Sequence, residues 1–303
     1  MGETATVRVD GRVLRLSNLG KVLFPEHGFT KAEVIDYYSR IAPVLLPHLA
    51  GRPVTLRRYP DGVDGPSFYE KNVPRHAPDW VRTVRIETPG SARGHEYADF
   101  VLVEDLPTLV WVANLAALEL HVPQWGVGPR GGRHTPDLLV FDLDPGTPAT
   151  VVECCRVAML VRAELERDGM AVFAKTSGSK GMQLYAAVEV SAPERTAEYA
   201  KDLAQRLAAE HPELVVSTMA KAVRRGKVLI DWSQNNRGKT TVAPYSLRAR
   251  SRPAVSTPVS WAEVEACARA EDLVFLAADV VARVTHGGDL FAELRDKAVR
   301  LPK

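Results

Sequence analysis

The run Leu138-Leu139-Val140-Phe141-Asp142-Leu143-Asp144-Pro145 constrains this chain more than any other segment. Its apolar part reads as a buried strand, since unbroken hydrophobic side chains suit a strand only when both faces are covered. Two acids sit at its C-terminal end. Side chains at i and i+2 of a strand share a face, so Asp142 and Asp144 converge. Convergent carboxylates repel unless a cation lies between them, and hard divalent ions with oxygen ligands fill that place best. Such a clamp is the centre of two-metal phosphoryl or nucleotidyl transfer. The competing reading is a plain strand end, because Asp-Pro favours turns.

The rest of the chain narrows the class. With 303 residues, 46% hydrophobic and 25% charged, it has the length for one large domain or two intimate modules. No secretory signal and no membrane-length apolar run is visible. Three cysteines without C-x-x-C spacing argue against a disulfide framework and a structural zinc site, which makes a cytoplasmic location the expectation. Net charge is only +2, but nine basic residues and a single acid, Asp231, lie between Lys221 and Arg252. That stripe suggests an anion-binding surface; a solvated face is the plain alternative.

Thr30-Lys31-Ala32-Glu33 forms a capping box that opens a helix running to about His48. Strands are expected at Val54–Tyr59, Val81–Glu87 and Tyr97–Val103, a helix at Leu106–Leu118, and an extended run at Glu119–Gln124. After the Asp142 strand come a helix at Pro148–Arg167, strands at Met170–Thr176 and Met182–Val188, a helix at Ala192–Glu210, strands at Lys227–Asp231 and Thr240–Leu247, and a helical tail from Trp261. The β-α-β-β-α-β order from Leu138 to Asp231 suggests a ferredoxin-like or RRM-like sheet. The fold class is therefore α+β, with two packed modules sharing one cleft.

Further constellations accompany the acids. Thr176-Ser177-Gly178-Ser179-Lys180-Gly181 lies in a tight turn whose glycines, backbone N–H groups and hydroxyls can cradle phosphate oxygens, with Lys180 as a point charge. It could equally be an ordinary hairpin turn. Asp231 ends the apolar strand Val228-Leu229-Ile230 and could complete a three-carboxylate site, or be a satisfied strand-end acid. Arg248, in Ala243-Pro244-Tyr245-Ser246-Leu247-Arg248, could clamp a phosphate. His121 stands in an extended run, where a histidine is most often a core or surface residue.

Taken in order, these segments resemble the polymerase domain of bacterial ligase D, in the archaeo-eukaryotic primase superfamily. The resemblance runs from Leu16 to about Asp289. It also draws on Lys21-Val22-Leu23-Phe24-Pro25, Gly51-Arg52-Pro53, Phe68-Tyr69-Glu70-Lys71, His121-Val122-Pro123-Gln124-Trp125 and Asp231-Trp232-Ser233-Gln234-Asn235. It implies a single catalytic domain over 1–303, with an N-terminal α/β module (1–130), an RRM-like catalytic module (131–255) and C-terminal helices (256–303).

The resemblance also implies roles. Asp142, Asp144 and Asp231 would hold two divalent ions, Mn²⁺ or Mg²⁺. His121, Ser177, Lys180, Gln183, Gln234 and Arg248 would bind the nucleotide. Asn18, Lys21 and Lys31 would take a downstream 5′-phosphate. Phe68 and Tyr69 would stack on the template. Arg57, Arg58, Arg224 and Arg225 would meet the DNA backbone. The family motif carries a His at the place of Gln183, which can exchange hydrogen bonds but cannot carry a charge.

The implied function is templated addition of one or a few nucleotides, ribonucleotides by preference, at short gaps or broken ends with a 5′-phosphate. The pathway is non-homologous end joining or short-gap excision repair. Expected partners are gapped or broken DNA, NTP or dNTP, Ku, and a separate ATP-dependent DNA ligase, since no ligase segment is attached. Two rivals remain: an inactive scaffold that binds 5′-phosphorylated ends, supported by Gln183, and a two-metal nuclease or nucleotide hydrolase, which leaves Lys180 and Arg248 unexplained.

Overall fold

The structure, a computed structural model, describes residues 4–88 and 96–302. Met1–Glu3, at the start of the segment scanned for a leader, lie outside them.

Two sheets organise the molecule. The first has seven strands, in the order Val215–Val216, Val228–Asp231, Leu138–Pro145, Met182–Glu189, Phe173–Thr176 and Pro258–Val259, with Val299–Arg300 paired to the end of Met182–Glu189. Leu139, Val140, Phe141 and Leu143 are fully buried, as the unbroken apolar run requires. Helices α3 (Val151–Arg167) and α4 (Arg195–Glu210) share one apolar core with the strands. The β-α-β-β-α-β expectation holds, with one addition. The two-residue strand Val215–Val216 runs parallel to Val228–Asp231 and is too short to leave a periodic signal.

The second sheet has six strands. Its path is Thr241–Val242, Ala117–Val122, Pro53–Arg58, Tyr97–Leu102 and Thr83–Glu87, with Phe68–Glu70 paired to Pro53–Arg58. Helix α1 (Lys31–Leu49) and helix α2 (Leu106–Asn114) pack in its core. The α1 capping box is present, with Glu33 N donating to Thr30 Oγ1 and Thr30 N to Glu33. Thr241–Val242 pairs with Val122 and His121, and Ala243, Tyr245, Leu247 and Val255 fill this second core. The chain thus crosses from the seven-stranded sheet into the six-stranded one.

Three expectations need correcting. The helix from Leu106 stops at Asn114 rather than Leu118. Ala116 adopts a left-handed φ of 57°, and Ala117 already belongs to a strand. Asn114 closes the end, donating to Arg15 O and accepting from Ser17 N. The strand Thr240–Leu247 is two strands, Thr241–Val242 and Leu247–Ala249. Pro244 between them has no N–H for a ladder, and Tyr245 sits at a φ of 65°. The tail is helical only at α5 (Trp261–Ala266), α6 (Ala277–Gly287) and short single turns. The hairpin Thr4–Val9/Arg12–Ser17 adds an element not expected from the sequence. Among the described residues no helix is long and apolar enough to cross a membrane.

Candidate active site

Four register partners form one row across the catalytic sheet. Lys175 faces Gln183, Gln183 faces Asp142, and Asp142 faces Asp231. Asp144 lies two residues beyond Asp142 on the same face. One carboxylate oxygen from each of Asp142, Asp144 and Asp231 lies within 4.8 Å of the others. Asp231 is held firmly: its Oδ1 accepts from Ser233 N at 3.0 Å and Ser233 Oγ at 2.6 Å, and its Oδ2 from Gln234 Nε2 at 2.8 Å. Asn235 then bonds both backbone groups of Val140, at 2.9 and 2.7 Å, and pins this turn to the Asp142 strand.

The acids are electrostatically frustrated. Burial and then the Asp144 charge push the Asp142 carboxyl upward, and Asp231 adds to this. Burial and Asp231 likewise raise Asp144, with Arg224 and Arg248 opposing only in part. Protein cations therefore leave negative charge uncompensated at a cluster of oxygen donors. That donor set fits hard divalent ions such as Mg²⁺ or Mn²⁺.

A cationic wall stands beside the acids. Ser177 Oγ accepts from Ser179 N at 3.2 Å and Gly181 N at 3.1 Å, which closes the turn and leaves the hydroxyl proton available. Gly178 has a φ of 64°, and a Cβ there would come within 2.6 Å of Arg248 Cγ. Arg248 Nη1 donates to Ser177 O at 3.1 Å, Arg250 contacts Ser179 Oγ, and Lys180 is exposed. Arg224 packs its backbone against Gly146, whose Cβ would fall 1.9 Å from Arg224 O, and Arg225 points outward, exposed.

Glu119 binds this wall together, and sequence reading missed it. It is 1% exposed and accepts from Ala249 N at 3.1 Å. Its carboxylate lies 3.5 Å from both Arg57 and Arg248 and 2.9 Å from His121 Nε2. Burial alone would raise its pKa; the His121 hydrogen bond, Arg248 and the Ala249 N–H bring it down to about 2. Burial lowers the pKa of His121, with Glu119 opposing and Arg248 and Arg57 reinforcing. A neutral His121 donating Nε2–H to ionised Glu119 leaves its other ring nitrogen as an acceptor.

Gln183 and Gln234 place their amides on the acids. Gln183 Nε2 donates to Asp142 Oδ1 at 3.0 Å, and Gln234 bonds Asp231. Lys175, bonded to Gln183, and Asn235, bonded to Val140, were also missed. Each stands in an apolar or turn segment where nothing in the local pattern marks it.

Two further groups border the cleft. Arg57 and Tyr69 are cross-strand partners, as are Arg58 and Phe68, with each guanidinium over its ring at 5.2 and 5.3 Å. Phe68 and Tyr69 are 38% and 51% exposed, and Tyr69 meets the His121 ring edge-on at 5.7 Å. Lys31 sits at the first position of α1, where a cation opposes the helix dipole. Burial, Lys21 and Arg58 lower its pKa to about 8. Lys31 Nζ donates to Ser17 O at 2.7 Å, Lys21 pairs with Asp61 at 2.8 Å, and Asn18 takes a left-handed φ of 54° in the turn whose carbonyl accepts Lys21 N.

Comparison with known proteins identifies the family. The family described as "LigD, primase-polymerase domain" matches residues 30–291. The chain is 42% identical over 301 residues to the multifunctional non-homologous end joining DNA repair protein LigD of Mycobacterium tuberculosis, covering 97% of this chain and 38% of that protein. It is 34% identical over 254 residues to the bifunctional non-homologous end joining protein LigD of Bacillus subtilis, covering 83% of this chain and 39% of that one. It thus spans about two-fifths of the length of these relatives. The polymerase domain from Mycobacterium tuberculosis ligase D in complex with DNA superposes with a TM-score of 0.87 at 40% identity, over 94% of this chain and 99% of that one. The chain belongs to the primase-polymerase domain family of bacterial ligase D, nucleotidyltransferases of the archaeo-eukaryotic primase fold.

Proposed function

We propose that this chain is a template-dependent repair polymerase. It adds one or a few nucleotides, preferably ribonucleotides, at short gaps or broken ends with a 5′-phosphate, in non-homologous end joining or short-gap excision repair. The observation that carries this reading is the convergence of Asp142, Asp144 and Asp231 beside the Ser177–Gly181 turn and Arg248. Two divalent ions held by the three acids, Mn²⁺ or Mg²⁺, would supply activation of the primer hydroxyl and neutralisation of the phosphate charge.

The chain's own groups do the positioning. Arg248, Lys180 and the Ser177 hydroxyl grip the triphosphate; Arg248 is pre-aligned by Glu119 and by Ser177 O. The acceptor nitrogen of His121 takes a hydrogen bond from a sugar hydroxyl, which favours the ribose 2′-OH. Gln183 and Gln234 act on the nucleotide through Asp142 and Asp231, whose carboxylates they orient. Phe68 and Tyr69 stack on template bases, and Arg57 and Arg58 meet template phosphates. Arg224 and Arg225 extend the basic side of the cleft along the primer strand.

Lys21, Lys31 and Asn18, at the α1 N-terminus, take the downstream 5′-phosphate. Lys31, whose charge is disfavoured by burial and by Lys21 and Arg58 beside it, and a helix N-terminus both favour an anion. A filled gap still needs sealing, so a DNA ligase activity and, at broken ends, Ku are the partners, and the nucleoid is the place of action.

The test is product analysis. With gapped DNA and labelled NTP, pyrophosphate and an extended primer are expected; release of inorganic phosphate or shortened DNA would replace the polymerase with a hydrolase or nuclease.

A further inference from the structure

Lys175 has no place in the function described so far. It is 0% exposed, yet it hydrogen-bonds no carboxylate: its Nζ lies 2.7 Å from Gln183 Oε1 and 2.6 Å from Ser256 Oγ. The Ser256 hydroxyl donates its own proton to Thr176 O at 2.8 Å, so Lys175 is the donor in that contact. Burying an amine among neutral partners costs more than filling the same volume with an apolar side chain.

The register row supplies a role. Lys175, Gln183 and Asp142 are successive partners on adjacent strands, with side chains on one face. A glutamine amide can point either way, and its neighbours decide. Lys175 Nζ and Tyr185 OH both donate to Oε1, at 2.7 and 3.2 Å. That leaves Nε2 toward Asp142 Oδ1, at 3.0 Å. The reversed amide would set two donors against an NH₂ and an amide oxygen against a carboxylate.

We propose that Lys175 is a positioning residue for the metal site. It locks the Gln183 amide so that Nε2 holds Asp142 Oδ1, and Oδ2 stays free to turn toward Asp144 and Asp231. The inference rests on the reading of those acids as metal ligands. Without the lock, Gln183 samples the reversed orientation, Asp142 loses its fixed rotamer, and the first divalent ion binds more weakly. A histidine at 183 has no such dependence, because a ring N–H can face Asp142 without an amine behind it.

The experiment measures Mn²⁺ binding to the metal-free full chain by electron paramagnetic resonance, without DNA or nucleotide. The variants are Lys175→Met, Gln183→His, the double variant, and Asp142→Ala as reference. Lys175→Met is expected to weaken Mn²⁺ binding at least about tenfold, roughly one hydrogen bond to a charged group. The double variant is expected to return to within about twofold of Gln183→His alone, a rescue that a merely space-filling lysine would not allow. Equal Mn²⁺ affinity in Lys175→Met and wild type, or loss without rescue, overturns the proposal and leaves the metal site standing. Wild type binding no better than Asp142→Ala overturns the metal-site reading and the proposal with it.

Should Lys175→Met fail to fold, the ¹⁵N-labelled wild type carries the test. Slowly exchanging Gln183 side-chain amide protons that shift on adding Mg²⁺ support the lock; solvent-like, exchange-averaged protons overturn it.

Discussion

Asp142 and Asp231 face each other across an antiparallel ladder, two like charges set side by side at the floor of the cleft. With Asp144 they make a cluster that the fold does not neutralise, because burial and mutual repulsion raise Asp142 and Asp144 above the ordinary carboxylate range. A carboxyl whose folded pKa is raised favours the native state while protonated. That contribution is present below about pH 4 and is lost as pH rises through the higher folded value. The metal-free protein should therefore lose melting temperature on this account between pH 4 and neutrality. Mn²⁺ should restore it at pH 7.5 and add little at pH 5. Asp142→Asn should be more stable than wild type without metal at pH 7.5 and lose most of the Mn²⁺ effect. Thermal melts with chelator or Mn²⁺ at the two pH values measure this.

Glu119→Gln tests the cationic wall. The amide fills the same space but releases Arg57, Arg248 and His121 from a charge they share. One charge-assisted contact is worth about 1.5–3 kcal/mol, so kcat/KM for ribonucleotides should fall on the order of ten- to a hundredfold. Most of it should enter as a raised KM. The preference for ribonucleotides over deoxyribonucleotides should shrink as well, since His121 loses the partner that sets its tautomer. Steady-state insertion kinetics with each nucleotide type decide it.

Lys31 ties 5′-phosphate recognition to pH. Its pKa of about 8 means that it loses charge as pH rises through that value. Discrimination between 5′-phosphate and 5′-hydroxyl gaps should fall between pH 7 and 9, and Lys31→Met should abolish most of it at pH 7. Fluorescence anisotropy on the two gapped substrates reads both effects, and the wild-type preference should also weaken with salt.

Gly181 is a position where one methyl group should uncouple the site. A Cβ there would lie 2.0 Å from Leu143 O, on the strand between the two acids. Gly181→Ala must push the Ser177–Gly181 turn off that strand. Overpacking of this kind costs about 1–3 kcal/mol, and the displaced turn should raise the nucleotide KM. A melt and a KM measurement on the same preparation check both.

The acids were legible in the sequence because each ends an apolar strand, and the phosphate turn because its glycines lie between two such strands. Helix α1 announced itself through Thr30 and Glu33. What the sequence hid was pairing between distant segments. Asp142 opposite Asp231, and Lys175 opposite Gln183 opposite Asp142, are facts of register. Glu119 looked like any alternating strand residue until Arg57 and Arg248 arrived from other parts of the chain. The crossing of Thr241–Val242 into the second sheet was hidden in the same way. The N-terminal hairpin was unexpected although its Asp10-Gly11 turn, with both residues at positive φ, is of the Asp-Gly type that favours hairpins.

The most direct test of the account is primer extension across a one-nucleotide gap. It compares ribonucleotides with deoxyribonucleotides, with and without Mn²⁺ and a downstream 5′-phosphate, and uses Asp142→Ala as control. The account predicts templated insertion that favours ribonucleotides, requires the divalent ion, is stimulated by the 5′-phosphate and disappears in the variant. Tight binding to the phosphorylated gap with no extension under any condition would contradict it and leave a DNA-end scaffold in its place.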